Sequence, residues 1–103
     1  MKPPTIRTAY DFEPERDAAS LPVLIPACAS AKFQPAENKL EIHLPGDVRL
    51  SGQDLGRLMI VQGKCRSQGI QLILRASITV RNQLEKCGLD RIIWTEPVDS
   101  KSA

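Results

Sequence analysis

Aromatic residues, histidine and cysteine are scarce in this chain of 103 residues, and their scarcity limits its chemistry. There are one tryptophan, one tyrosine, two phenylalanines, one histidine and three cysteines. His43 has no second histidine and no nucleophile motif near it in the sequence, which argues against a catalytic or metal role. Cys28, Cys65 and Cys87 are odd in number and form no CxxC, which argues against a disulfide framework or a zinc site. We expect buried, reduced thiols, no cofactor and no enzymatic activity.

Phosphate-binding motifs, long apolar runs and a strong charge imbalance are absent as well. The sequence contains no GxxxxGK[ST], GxGxxG, GxSxG or HExxH. Its formal net charge of +2 is too small to predict a nucleic-acid partner. No apolar run approaches the ~20 residues that cross a bilayer, and residues 1–17 lack the apolar segment of a secretory signal. We expect a cytoplasmic protein that neither binds nucleic acid nor inserts directly into a membrane.

Prolines are concentrated in the first 38 residues, which hold six of the eight. No clean hydrophobic period runs through this part of the chain. We predict an edge strand at Thr5–Tyr10 and a helix at Asp17–Phe33. That helix tolerates Pro22 near its first turn but is kinked by Pro26. An extended conformation for Pro22–Ala29 is the alternative.

A regular pattern begins at Lys39. Lys39–Leu44 alternates apolar and polar residues, which predicts a strand. Ile70–Arg75 is a second predicted strand and is apolar on both faces. Ile92–Trp94 is a short third strand, in which we expect Trp94 to pack in the core or to cover the sheet.

Two helices separate these strands. Ser51–Ser67 begins with a good N-cap residue, and Asp54 places an acid in the first turn. Ser77 is expected to cap the second helix, Ile78–Cys87. Apolar residues at helical spacing in the two helices are Leu55, Leu58, Met59 and either Val61 or Cys65, then Val80, Leu84 and Cys87.

The alternation of strands and helices with short connections is a repeated βαβ pattern. Such a pattern predicts parallel strands joined by right-handed crossovers. The chain length fits one domain. We divide it into an N-terminal edge segment at 1–16, the domain at 17–96 and a flexible tail at 97–103.

Residues 39–94 resemble the STAS family, the small α/β binding modules of anti-sigma-factor antagonists. The order and spacing of KLEIHL, SGQDLGRLMIVQGKCRSQG, IQLIL and SITVRNQLEKCGLDRIIW carry the resemblance. LGRL in the long helix and GLD after the second helix are typical of the family. The resemblance implies an α/β fold with a mixed, mostly parallel sheet of about four strands and helices mainly on one side. It also implies a non-enzymatic protein-interaction module.

In that family, a partner kinase that is also the anti-sigma factor phosphorylates a Ser or Thr in the turn before the long helix. Aligned without gaps, the usual Asp-Ser-Ser-Gly-Leu-Gly becomes SGQDLG here. Gln53 then stands at the acceptor position and Asp54 at the following glycine, so the usual switch is absent. A register shifted by two residues pairs Ser51 and Gly52 with the family's Ser-Gly and keeps Ser51 as the acceptor.

The resemblance implies a binding surface made of this turn, the start of the helix and the loop after the second strand. The partner-binding residues it implies are Ser51, Gly52, Gln53, Asp54, Leu55, Arg57 and Ser77. Each has a structural alternative, because Ser51 can be a plain N-cap and first-turn residues can simply be solvated. A solvated helix face is likewise the alternative to a basic strip formed by Arg49, Arg57, Lys64 and Arg66.

The partner implied by the resemblance is an anti-sigma factor, a serine kinase of that type or a complex subunit. An alternative function is a STAS-type scaffold subunit of a lipid-transport or stressosome-like complex. A small-ligand or nucleotide-binding domain is a third hypothesis, since open α/β sheets bind ligands at the carboxyl ends of their strands. A homodimer is also left open.

Overall fold

A computed structural model describes residues 9–46 and 48–97 of the chain. Within them, one sheet has the strand order β1-β2-β3-β4, with β1 antiparallel to β2 and the other two pairs parallel. The predicted α/β class with a mixed, mostly parallel four-stranded sheet is confirmed and is compatible with a STAS-like fold. The strands are β1 Ser30–Gln34, β2 Lys39–His43, β3 Gln71–Ala76 and β4 Trp94–Pro97, and the helices are α1 Pro14–Asp17, α2 Leu21–Leu24, α3 Gly52–Ser67 and α4 Ile78–Cys87.

Within the described residues, helices cover one face of the sheet and none covers the other, which we call the open face, although Ile73 on it is only 3 % exposed. Side chains alternate between the two faces along each strand. The covered face packs into a single core, to which the central strands and the two long helices contribute Leu40, Ile42, Leu72, Leu74, Leu58, Val61, Cys65, Val80 and Leu84. The open face carries Glu41, His43 and Arg75, so the described helices lie on one side of the sheet, as predicted.

The regular part of the chain follows the prediction closely, except at its end. The two central strands and both long helices lie within one residue of their predicted bounds. The last strand begins at Trp94, not at Ile92, because Ile92 and Ile93 both donate backbone hydrogen bonds to the carbonyl of Leu89. That turn keeps the backbone folded until Trp94, which is 58 % exposed and does not pack in the core. It lies instead on the open face beside its register partner Ile73.

The predicted helix Asp17–Phe33 is wrong. The helix α2 ends at Leu24 because Ile25 precedes a proline and is extended, with φ −121° and ψ 98°. Pro22 lies in the first turn, where it is tolerated. The strand β1 takes the place of the end of the predicted helix. Of the predicted edge strand, Ala9 and Tyr10 lie in a 3₁₀ turn and the rest falls outside the described residues.

The N-terminal segment belongs to the same core despite its irregular backbone. Phe12, Leu21 and Ile25 are completely buried. Full burial of side chains of this size stabilises a fold by about 1.5–3 kcal/mol each. Two predicted apolar positions on the long helices are exposed instead, because the helices turn other residues inwards: Met59 on α3 and Cys87 on α4.

No helix within the described ranges is both long enough and apolar enough to cross a membrane.

Candidate functional site

The start of α3 is held by a reciprocal capping box. The Oγ of Ser51 accepts a hydrogen bond from the backbone N–H of Asp54 at 3.0 Å. The Oδ2 of Asp54 accepts in return from the backbone N–H of Ser51 at 3.0 Å and from its hydroxyl at 2.9 Å. Two backbone donors at the helix start are thereby satisfied, so the predicted N-cap role of Ser51 is confirmed.

Asp54 is turned into the protein and is only 6 % exposed. Its carboxylate therefore stabilises the turn and is not presented to a partner. A phosphate on the hydroxyl of Ser51 would remove the donor to this carboxylate and place about −1.5 to −2 charges beside it. Phosphorylation of Ser51, which stays a prediction, would consequently break the capping box.

Two long-range contacts fix the residues around the turn. The side-chain amide of Gln83 on α4 donates to the carbonyl of Leu50 at 2.5 Å and accepts from its N–H at 2.9 Å. The guanidinium of Arg57 donates to the carbonyl of Leu24 at 2.6 Å. Each contact joins residues 33 positions apart, so no local sequence pattern indicates it. The guanidinium of Arg57 therefore makes a contact within the fold, which neither a solvated helix face nor a basic strip predicts.

Ser77 lies at the same edge of the sheet as the turn. β2 and β3 are parallel, so the segments after their carboxyl ends meet at one edge. Ser77 has the extended backbone of an N-cap, with φ −70° and ψ 169°, but its side chain makes no capping hydrogen bond, contrary to the prediction. Its buried Oγ has no hydrogen-bond partner within the described residues.

The outward surface of α3 differs from an ordinary solvated helix face. Gly52, Gly56, Met59 and Gly63 recur at intervals of four, three and four residues, which places them in one line on the helix. We call this line the outer face of α3. These four residues carry no charge and Met59 is 48 % exposed, while the exposed Arg66 continues the line three residues further on. A glycine inside a helix costs roughly 0.5–1 kcal/mol relative to alanine, and a Cβ on any of the three would meet nothing within 4 Å.

The implied partner-binding residues divide into exposed and inward groups. Ser51, Gly52 and Gln53 are exposed, and Leu55 is partly buried against the core. Of the remaining members, Asp54 and Arg57 make hydrogen bonds within the fold, and Ser77 is half-buried. The outer face of α3 extends the exposed group along the helix. Sequence reasoning missed it, although the spacing of the glycines was the available signal.

The open face of the sheet carries a network of side chains that spans all four strands. The Nε2 of Gln34 donates to Glu41 at 3.1 Å, and Arg75 contacts Glu41 at 3.5 Å. Arg75 also pairs with Glu96 at 3.2 Å, and the indole N–H of Trp94 donates to Glu96 at 3.2 Å. We call these five residues the polar network. His43 lies at its margin, 3.8 Å from Glu41.

The shifted pKa values follow from burial and from contacts within the fold. Burial raises the pKa of Glu41, but the hydrogen bond and charge of Arg75, together with Gln34 and His43, lower it by more, so the net pKa lies below its ordinary value. Burial raises the pKa of Cys28 to about 11 and of Cys65 to about 12, so neither thiol is a ready nucleophile. Over residues 9–46 and 48–97, no cluster of three His, Cys, Asp or Glu side chains could hold a metal ion.

No family model, no curated protein and no solved structure matches the chain.

Proposed function

We propose that this protein is a non-enzymatic interaction module of STAS type. It binds a regulatory protein partner through the turn at 51–53 and the outer face of α3. The partner is an anti-sigma factor, a kinase of that type or a subunit of a larger complex. The sequence resemblance supplies the class, and the outer face of α3 is the observation that carries the proposal.

The outer face of α3 suits a protein partner better than it suits water. Exposed helix faces in water are ordinarily charged or polar, whereas this one presents three glycines and a half-exposed methionine. Glycines let another backbone approach closely, and a flexible Met side chain adapts to varied surfaces. The stability lost to Gly56 and Gly63 has no steric explanation within the described residues. Close approach of a partner explains it.

The turn that precedes this face is already ordered. The capping box and the two hydrogen bonds between Gln83 and Leu50 hold it without a partner. Binding to an ordered surface avoids the entropy cost of immobilising a loop. The exposed Gln53 occupies the position of the family's phospho-acceptor in the ungapped alignment. The surface is therefore constitutively available and is not switched by phosphorylation at that position.

Affinity capture with matched glutamine substitutions tests the proposal. The protein and its Gly56→Gln variant are immobilised and exposed to extract of the source organism, and bound proteins are quantified by mass spectrometry. Lys86→Gln, an exposed change on α4, is the control. We expect a protein that the wild type and Lys86→Gln retain but Gly56→Gln loses. Equal retention by all three would show that α3 is not the binding surface.

The predicted absence of the usual phosphorylation switch is tested separately. The protein is incubated with a serine kinase of the anti-sigma type, and the peptide that contains Ser51 and Gln53 is analysed by mass spectrometry. We expect this peptide to remain unmodified. Stoichiometric phosphate on Ser51 would show that the turn is a phosphorylation site and would favour the shifted alignment.

A further inference from the structure

A second exposed surface lies along β4, at the edge of the sheet. Within the described residues β4 pairs only with β3, so its other side has no strand beside it. A groove of about 410 Å³ runs between β4 and α4, and Ile78 and Trp94 line it. These two side chains are 62 % and 58 % exposed. An exposed edge strand with apolar surroundings can pair with another strand; β4 is short and its Pro97 has no N–H to donate, so the pairing involves Trp94–Glu96.

Charges are distributed unevenly along this groove. α4 follows β3 and leads to the parallel strand β4, so it runs in the opposite direction to both. With a rise of about 1.5 Å per residue, Arg81 lies near the carboxyl end of the sheet and Glu85 about one turn closer to the amino end. Asp90 precedes β4 and lines the same groove. The groove is therefore positive towards one end and negative towards the other.

Within the described residues, none of these three charges is neutralised by an ion pair. Arg81, Glu85 and Asp90 form no ion pair within residues 9–46 and 48–97. A second copy of the chain, placed antiparallel across the β4 edge, would set the positive end of each groove against the negative end of the other. A parallel arrangement would set like charges together. The groove is thus complementary to itself, as a two-fold interface requires.

We propose that two copies of this chain associate through their β4 strands, antiparallel about a two-fold axis, into a continuous eight-stranded sheet. Trp94, on the open face, and Ile78, on the helix-covered side, become buried on the two sides of the joined edge, and Arg81 faces Glu85 and Asp90 of the partner. Buried apolar side chains with charged residues around them match the usual anatomy of protein interfaces. This interface is separate from the outer face of α3, so the dimer presents two binding surfaces to partners.

Sedimentation velocity and fluorescence of Trp94, the single tryptophan, test the dimer. The protein is measured over a range from about 5 to 500 µM, which covers micromolar affinities. We expect the mass to rise from 11.4 kDa towards twice that value, with a shift of tryptophan emission to shorter wavelength as the indole is buried. A monomer throughout this range, with constant emission, would overturn the proposal.

Charge variants test the antiparallel arrangement. Arg81→Glu places like charges across the interface and should weaken dimerisation about tenfold or more, whereas adding Glu85→Arg to it should recover part of the loss. Lys32→Glu is the control, since it reverses an exposed charge on β1, at the opposite edge of the sheet, and should leave the dimer unchanged. Thermal melts monitor the fold of each variant. A dimer that survives both Arg81→Glu and Trp94→Lys would show that β4 is not the interface.

Discussion

Within the described residues, no helix covers the outer face of α3 or the open face of the sheet, yet the two are built in opposite ways. The open face is crossed by the polar network, in which Arg75 bridges two carboxylates from the neighbouring strands. Among the described residues, the outer face of α3 makes no such contacts, and it carries glycines where alanine would fit. The open face therefore contributes to the stability of the fold, whereas the glycines on the outer face of α3 lower it. A surface that lowers stability without an internal reason is a candidate for function.

The largest expected effect on the free energy of unfolding is at the turn that precedes the outer face of α3. Asp54→Ala removes the buried carboxylate of the capping box and should lower the free energy of unfolding by about 1–2 kcal/mol. Gln53→Ala, one residue away and exposed, should change it by less than about 0.5 kcal/mol. Urea denaturation followed by circular dichroism measures both. Equal effects would mean that the capping box does not hold the turn.

Stability should be more sensitive to substitution in the polar network than on the outer face of α3. Arg75→Ala leaves the carboxylates of Glu41 and Glu96 without their cation and should cost about 1–2 kcal/mol. Arg66→Ala is the control, because Arg66 is exposed and forms no ion pair within the described residues. The same urea experiment compares them. If the two variants lose equal stability, the network is not a stabilising feature of the open face.

The network should also make stability depend on pH. The pKa of Glu41 in the folded protein lies below its ordinary 4.5, so its contribution is complete above that value and is lost as pH falls through the folded pKa. The difference in unfolding free energy between the wild type and Glu41→Gln should therefore shrink as pH is lowered below about 4.5. Denaturation at a series of pH values measures it. A difference that is independent of pH in this range would contradict the role of the charge.

The smallest expected change is a gain in the free energy of unfolding, whereas the changes above are losses. Gly56→Ala should raise the free energy of unfolding by about 0.5–1 kcal/mol, because its Cβ enters open space on a helix. Gly69→Ala, the same substitution at φ +73°, should destabilise because that conformation disfavours a side chain. Thermal melting compares the two. A destabilising Gly56→Ala would mean that this glycine is required by the fold itself.

The sequence predicts the elements between residues 39 and 87 well because their hydrophobic periods are regular and their ends carry local signals. Ser51 and Asp54 identify the start of α3 through capping chemistry. β1 was missed although SAKFQ alternates polar and apolar residues, because the run is short and its only apolar members are Ala31 and Phe33; pairing with β2 makes it a strand. The end of α2 could have been read from Pro26, which excludes the helical conformation from the residue before it.

The candidate site was only partly predictable for a related reason. The capping box is a local pattern, whereas the contacts of Gln83 with Leu50 and of Arg57 with Leu24 depend on tertiary packing. The direction in which Met59 points depends on which side of α3 meets the sheet, and a helix with apolar residues on several sides does not fix this by itself.

The central claim is that α3 gives up stability in order to bind a partner. Measuring the melting temperature and the retained proteins of Gly56→Ala and Gly56→Gln on the same preparations tests it most directly. The account predicts that Gly56→Ala melts higher than the wild type and that Gly56→Gln, although folded, no longer retains a partner that Lys86→Gln retains. A folded Gly56→Gln variant that retains every wild-type partner would contradict it.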